Sequence, residues 1–254
     1  MTEPEPKVAT RDLTASFRGV TAVRGVSIRF PKHQIAAIVG PASSGKSTFL
    51  RCLNRLHELG EGAVVAGEVR LDGVDIYGPA VDPLALRRKV GMVFDRPTPL
   101  PGLSISDNVL AGFRLAGEEA DRPEHLVEAM LRRVDLWDDV KDRLGQPALG
   151  LSSGEKQRLC IARCLALKPE VLLLDEPCSG LDPIATARVE EVLNELRFGV
   201  TIVLVTHSLQ QAARVADTTA FFLGGELIEH DRTEVFFRNP QDPRTENYLT
   251  GRFG

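Results

Sequence analysis

The sequence is short of several things, and each shortage closes off a class of function. No apolar run approaches the roughly 18 to 20 residues of a membrane-crossing helix; the apolar stretches at residues 171–174 and 201–205 suit only strands of a buried sheet. There is no excess of charge of one sign: 31 Lys and Arg stand against 35 Asp and Glu, a net charge of −4. That balance gives no electrostatic reason to expect a nucleic-acid partner, yet it leaves room for phosphate ligands, which need only local donors. The only cysteines are Cys52, Cys160, Cys164 and Cys178, and none forms a C-x-x-C pair. Cys160 and Cys164, four apart on an expected helix, could share a face, but all four read as small reduced core residues, not metal ligands or disulfides. No internal repeat or low-complexity tract is evident. The start, Met1-Thr2-Glu3-Pro4-Glu5-Pro6, lacks the basic residues and apolar stretch of a secretory signal, so residence in the cytosol is expected.

What is present points to a globular α/β chain. With 254 residues, 43% of them hydrophobic, it can bury one large core or a core with a lobe. Strand-like runs at 26–30, 34–39, 68–71 and 90–94 alternate with a helical pattern over 46–59, where Phe49, Leu50, Leu53 and Leu56 share a side. A turn-rich segment follows at 96–102. From about Ser104 to Leu165 the strand signal fades and helical periodicity takes over, notably at 125–134 and 154–167, predicting a helical lobe inserted in the core. Strands return at 171–174, 201–205 and 219–222, with helices near 184–196 and 209–215 between them.

Two glycine-bearing loops carry the chemistry. Gly40-Pro41-Ala42-Ser43-Ser44-Gly45-Lys46-Ser47 fits G-x-x-x-x-G-K-[ST], follows an apolar strand and opens a helix with Thr48 in its first turn. Gly40 and Gly45 let backbone amides approach phosphates, Lys46 is placed to reach the β- and γ-phosphates, and Ser47 offers a hydroxyl to Mg²⁺. The strand at 171–174 ends in Asp175-Glu176. Charges at an apolar edge need a partner, and a metal ion with an attacking water supplies one: Asp175 for the metal, Glu176 as general base. The second loop, Leu151-Ser152-Ser153-Gly154-Glu155, matches the S-x-x-E capping box and equally presents free amides, a hydroxyl and a helix N-terminus to a phosphate. From these residues alone both readings stand.

Taken in order, these motifs make the chain resemble the ATP-binding subunit of ABC transporters over nearly its whole length. Residues 151–155 stand at the family's signature loop, Ser179-Gly180-Leu181-Asp182 at its D-loop, and His207 in Thr206-His207-Ser208 at its switch histidine. Phe17 lies where an aromatic ring stacks on adenine, although core packing would also account for it. The resemblance implies a P-loop NTPase core of the ABC ATPase type with an antiparallel β subdomain and an inserted helical lobe. It implies one ATP-binding domain over 1–254, with the core at 1–95 and 166–254 and the lobe at about 96–165. It implies ATP and Mg²⁺ as cofactors, with Lys46, Glu176 and His207 catalytic. Ser152 and Gly154 would contact the γ-phosphate held by a partner chain, and Asp182 would join the two sites. The implied partners are a second ATP-binding subunit forming a homodimer, two transmembrane permease subunits, and indirectly a solute-binding protein, at the cytoplasmic face of the bacterial cell membrane.

A finer resemblance is to the bacterial phosphate-import branch, carried by residues 51–56, 86–94, 96–99, 176–179 and 248–254. None of these would touch the transported solute, so inorganic phosphate is implied by analogy alone. Two departures stand out. Asp95 replaces a glutamine that meets Mg²⁺ and the attacking water, which adds a negative charge and could slow or re-regulate hydrolysis. Ser153 and Glu155 replace a glycine and a glutamine in the signature loop, adding bulk and a charge near the partner's ATP. An ABC ATPase for another solute and a regulatory module with slowed hydrolysis remain alternatives. A soluble ATPase acting on ribosomes or DNA would call for tandem cassettes, a long coiled coil or a basic arm, which the sequence lacks.

Overall fold

A computed structural model of the chain describes residues 6–252. Phe253 and Gly254, part of the phosphate-import resemblance, and the first five residues lie outside it. Strand β1 (Val8–Phe17) and strand β2 (Val20–Phe30) form an antiparallel hairpin whose turn residues, Arg18 and Gly19, both have positive φ, 47° and 80°. That backbone matches the twist of the flanking strands in a two-residue hairpin. Strand β3 (Ile35–Val39), buried at every residue, runs through the first glycine loop into helix α1 (Lys46–Cys52).

The helix expected over 46–59 stops at Cys52. The Tyr77 hydroxyl donates to the Cys52 carbonyl at 2.9 Å, Arg55 turns left-handed (φ 62°), and buried Asn54 accepts from the Leu56 amide at 3.2 Å. These partners satisfy the groups that another helical turn would have used, and only a 3-10 turn (Leu56–Leu59) follows. Strand β4 (Ala63–Leu71) then pairs antiparallel with β1, and the short strand β5 (Val74–Asp75) completes a four-stranded sheet in the order β2-β1-β4-β5.

Helix α2 (Pro83–Lys89), N-capped by Asp82, leads into strand β6 (Val90–Val93). The expected helical stretch follows as α3 (Ile105–Leu115), α4 (Pro123–Arg133), the single turn α5 (Trp137–Val140) and α6 (Ser153–Leu165). Strand β7 (Val171–Asp175), helix α7 (Pro183–Leu196), strand β8 (Thr201–Val205), helix α8 (Leu209–Val215) and strand β9 (Thr218–Leu223) return to the α/β pattern. Strand β10 (Glu226–Arg232), helix α9 (Thr233–Arg238) and helix α10 (Pro243–Leu249) close the described chain. The second sheet has the order β10-β9-β3-β8-β7-β6, parallel throughout except for β10.

Side chains alternate across β7, so one strand feeds two cores. Leu172 and Leu174 pack with α3, α4, α6 and α7, while Val171 and Leu173 pack with α1 and the antiparallel sheet. The helical stretch therefore shares its core with one face of the parallel sheet, and the glycine loop is wedged against the other. Each fully buried Leu, Ile or Val in these layers stabilises the fold by about 1.5–3 kcal/mol. Among the described residues no helix is long and apolar enough to cross a membrane.

Candidate functional site

Backbone crowding dictates both loop glycines. A Cβ on Gly40 (φ 151°) would lie 2.2 Å from the Phe222 carbonyl oxygen, and one on Gly45 (φ 94°) 2.3 Å from that of Ala22. Ser43 is also left-handed (φ 59°), and no side chain caps α1. Lys46 is 5% exposed, and its Nζ donates to the carbonyls of Gly40 (2.9 Å) and Pro41 (2.7 Å) and to Ser44 Oγ (3.4 Å). All three partners are uncharged. Burial pushes the ammonium's pKa down, against the opposing pull of Glu176 and Asp175. A buried cation held by neutral oxygens is a ready seat for an anion.

The β7 end stands opposite. Asp175, 4% exposed, accepts from Ser47 Oγ at 2.8 Å, with Arg51 NH2 at 3.7 Å. Burial raises its carboxyl above the ordinary range; Ser47 and Arg51 work against that shift, and the charge of Asp95 adds to it. Glu176 sits left-handed (φ 51°), a conformation costing a non-glycine residue about 1–2 kcal/mol, and its amide donates to the Val205 carbonyl. Its Oε2 accepts from the His207 amide at 3.2 Å. Its Oε1 lies 2.9 Å from His207 Nε2, but too poorly aligned for a hydrogen bond. Burial raises the Glu176 pKa, opposed by His207 and Lys46. His207 Nδ1 lies 3.3 Å from the Gly40 carbonyl. A carbonyl only accepts, so that contact is a hydrogen bond in the tautomer whose Nδ1 carries the hydrogen.

One open cavity of about 330 Å³ is lined by residues 42–48, Arg51, Asp95, Asp175, Glu176 and His207. Five elements thus bring together most of the expected residues, with Gly40 and Pro41 just behind the wall as acceptors for Lys46. Among the described residues no group of three or more His, Cys, Asp or Glu side chains is arranged to hold a metal by itself. A divalent ion here would have to take part of its shell from a phosphate ligand, as small hard cations commonly do. The donors present, one hydroxyl and neighbouring carboxylates, fit Mg²⁺ on those terms.

Phe17, Ser152, Gly154 and Asp182 lie outside that cavity's lining. Phe17, half-buried at the end of β1, meets His57 edge-on at 6.5 Å and abuts Gly60. The capping box is formed: Ser152 Oγ accepts from the Glu155 amide at 3.3 Å, and the Glu155 carboxylate accepts from the Ser152 amide at 2.7 Å. Arg143 pairs with the same carboxylate at 2.9 Å, so the added charge of Glu155 is neutralised inside the chain. Burial would raise the Glu155 pKa, but Ser152 and Arg143 together hold it below the usual range. Gly154 is buried, and a Cβ on it would stand 2.7 Å from Ala185 Cβ. Asp182 is exposed and caps α7, accepting from the Ile184 and Ala185 amides at 2.9 Å each. The Gly154–Ala185 contact therefore sets the N-termini of α6 and α7 side by side.

Three residues around the site carry roles that sequence reasoning passed over. Arg51 reaches Asp175 from one turn beyond Ser47, a neighbourhood that the i, i+4 spacing on α1 could have revealed. Gln157 Nε2 donates to the Phe94 carbonyl at 3.1 Å and Arg163 NH1 to the Thr98 carbonyl at 2.9 Å, so α6 grips the segment bearing Asp95. No sequence pattern marks that grip.

A profile of the ABC transporter family matches residues 23–179, more than half of the chain. The fold also matches cbiO1 from Clostridium perfringens, described as part of the ABC transporter complex cbiONQ, with a TM-score of 0.80 and 24% identity over 98% of this chain and 97% of that one. The ATP-binding cassette MJ0796, solved as a dimer in a post-hydrolysis state with ADP and Pi, matches with a TM-score of 0.75 and 25% identity, covering 89% of this chain and 98% of its own. The profile runs from the antiparallel sheet through the lysine loop to the carboxylates of β7 and the turn beyond them, and the chain belongs to the ABC transporter family as an ATPase module.

Proposed function

We propose that this chain hydrolyses ATP to drive a separate membrane permease importing inorganic phosphate, working at the cytoplasmic face of the bacterial membrane. The observation that carries the hydrolytic part is the single cavity joining buried Lys46 to Ser47, Asp175, Glu176 and His207. Its volume suits a phosphate chain, and the adenine would lie outside against Phe17. Residues 40–48 cradle the phosphates with their amides and Lys46. Ser47, Asp175 and Asp95 would hold Mg²⁺, which when bound offsets the phosphate charge. Water attacks the γ-phosphorus, the bond from that phosphorus to the oxygen of ADP breaks, and Glu176 takes the proton lost by the water. That carboxylate is engaged by His207; a γ-phosphate that draws His207 away leaves Glu176 free to act as base.

Ser152 and Asp182 lie exposed at adjacent helix ends and outside their own chain's cavity, which supports a role on ATP held by a second copy. The whole chain acts as one ATP-binding domain, with residues 1–95 and 166–254 as core and about 96–165 as the lobe that receives two permease subunits. Phosphate as cargo rests on the sequence resemblance of residues 51–56, 86–94, 96–99 and 176–179. One observation favours a second outcome, a regulatory module with slowed turnover: Asp95 lies in the cavity and its charge bears on Asp175. The deciding experiment is ATPase assay of the complex in liposomes with candidate solute-binding proteins. Stimulation by phosphate-loaded binding protein is expected; stimulation by another solute alone overturns the cargo, and normal turnover without any permease sinks the slowed-module alternative.

A further inference from the structure

Helix α6 holds the segment after β6 in a way that packing alone does not require. Val93 pairs with Leu174, so the chain leaves the sheet beside the strand end that carries Asp175. Side chains from two helices then fix it. From α6, Gln157 Nε2 donates to the Phe94 carbonyl at 3.1 Å and Arg163 NH1 to the Thr98 carbonyl at 2.9 Å. From α3, fully buried Asn108 accepts from the Leu100 amide at 2.6 Å and donates to the Leu103 and Ser104 carbonyls at 3.4 and 2.9 Å. Between the two α6 contacts Asp95 and Arg96 are exposed, and Asp95 lines the phosphate cavity.

Gln157 is 0% exposed, and among the described residues its side chain makes this one hydrogen bond. A carbonyl only accepts, so the amide NH2 must face Phe94. That orientation leaves Gln157 Oε1 buried with no hydrogen-bond partner among the described residues. An orphaned acceptor in a dry core is destabilising, and an apolar side chain of similar length would fill the space without it. Packing therefore disfavours glutamine here. What favours it is the hold on Phe94, whose carbonyl belongs to the peptide unit that enters Asp95.

We propose that Gln157 is a positioning residue for Asp95: by fixing that peptide unit, with Arg163 as the second hold, it sets the reach of the Asp95 carboxylate over the Mg²⁺ site. This rests on the metal role of Asp95 proposed above, because Gln157 itself lines no part of the cavity.

Gln157→Met keeps the length and helix propensity of the side chain and removes the donor. In the nucleotide-free chain, the ¹⁵N order parameters of the Asp95 and Arg96 amides are expected to fall from about 0.85 to below about 0.6. Binding of the non-hydrolysable analogue AMP-PNP, titrated by calorimetry, should need about three- to tenfold more Mg²⁺ for its half-maximum, the worth of one neutral hydrogen bond. Affinity for the analogue without metal should move by less than about twofold, and so should the Mg²⁺ requirement when Gln157→Met is added to Asp95→Ala, where no carboxylate is left to place. Arg163→Ala, at a half-buried position, should act in the same direction and decides the matter if Gln157→Met does not fold. Unchanged order parameters overturn the hold. An unchanged Mg²⁺ requirement, or a shift that persists beside Asp95→Ala, overturns the positioning role. A wild-type chain that does not bind AMP-PNP would refute the nucleotide reading instead, and the order parameters then decide the hold by themselves.

Discussion

Adding one methyl group to Gly154 tests whether the signature glycine is needed by its own chain or by a partner's ATP. A Cβ there would stand 2.7 Å from Ala185 Cβ, about 1 Å inside a comfortable carbon–carbon contact. The Ala185 methyl sits in the first turn of α7 and has no rotamer to swing away, so the two helix ends must part. Overpacking of this size costs about 1–3 kcal/mol. For a chain of this length that lowers the melting temperature by roughly 2–4 °C per kcal/mol. The same strain pushes Ser152 and Asp182 apart, because each caps one of the two helices.

The companion change Ala185→Gly removes the methyl that Gly154→Ala strikes. By itself it costs at most about 1 kcal/mol of helix propensity. If the clash is the whole defect, the double variant regains about 1–2 kcal/mol relative to the sum of the singles, measured by urea unfolding. ATPase activity of the dimer is the second readout. Recovered stability with recovered turnover makes the glycine a packing requirement; recovered stability with turnover still lost places its need at the partner's phosphate. A Gly154→Ala chain as stable as the parent, or a double variant no better than the single, would refute the steric reasoning itself.

Three further substitutions probe the charges. Asp95→Gln removes a negative group from the cavity wall; KM for Mg·ATP should fall several-fold and the Mg²⁺ requirement rise, and identical kinetics would refute it. Asp175→Asn tests burial: a carboxyl raised in the fold adds stability fully present below the unfolded pKa of about 3.9 and lost as pH rises through the folded value. The Asn variant should therefore gain on the parent in nucleotide-free thermal melts from about pH 4 to pH 7, and a pH-independent difference would count against the burial effect. Ser152→Asp keeps a capping oxygen but replaces a donor with a charge; the melting temperature should hold within a few degrees while ATP-dependent dimerisation, followed by light scattering, is lost, and dimerisation at parental ATP concentration would break the link between Ser152 and a partner's phosphate.

How much of the fold and site is legible in the sequence follows from where each residue gets its constraint. The strands at 171–174 and 201–205 show themselves because a parallel sheet covered on both faces leaves no polar alternation to confuse the signal. The early half of the antiparallel sheet does not, since β1 carries Thr10, Arg11, Asp12 and Thr14 along one strand; nor does β10, at the edge of the second sheet, which is only partly buried at its middle residues. The end of α1 escapes a local reading because Tyr77, supplied from after β4, accounts for the stop. In the site, Lys46 and Ser47 are placed by one strand–loop–helix unit and Asp175 and Glu176 by one strand end, so each pair is legible locally, whereas their meeting across 128 residues depends on the order of strands in the sheet. The grip of Gln157 and Arg163 depends on which strands and helices become neighbours, which no local pattern encodes.

Tertiary geometry also dissolves one apparent choice. The S-x-x-E pattern at Ser152 offers either a helix cap or a phosphate contact, as if one hydroxyl had to serve one purpose. In the cap the hydroxyl is the acceptor, taking the Glu155 amide at 3.3 Å, and a serine that accepts still has its O–H to give. Since Ser152 is exposed, that O–H can turn outward to an oxygen on another molecule. Glu155 completes the arrangement from the other side, because its carboxylate is held by the Ser152 amide and Arg143 and presents little net charge to an approaching phosphate. Capping thus fixes the serine's direction, and the positive end of α6 stays available to an anion facing it.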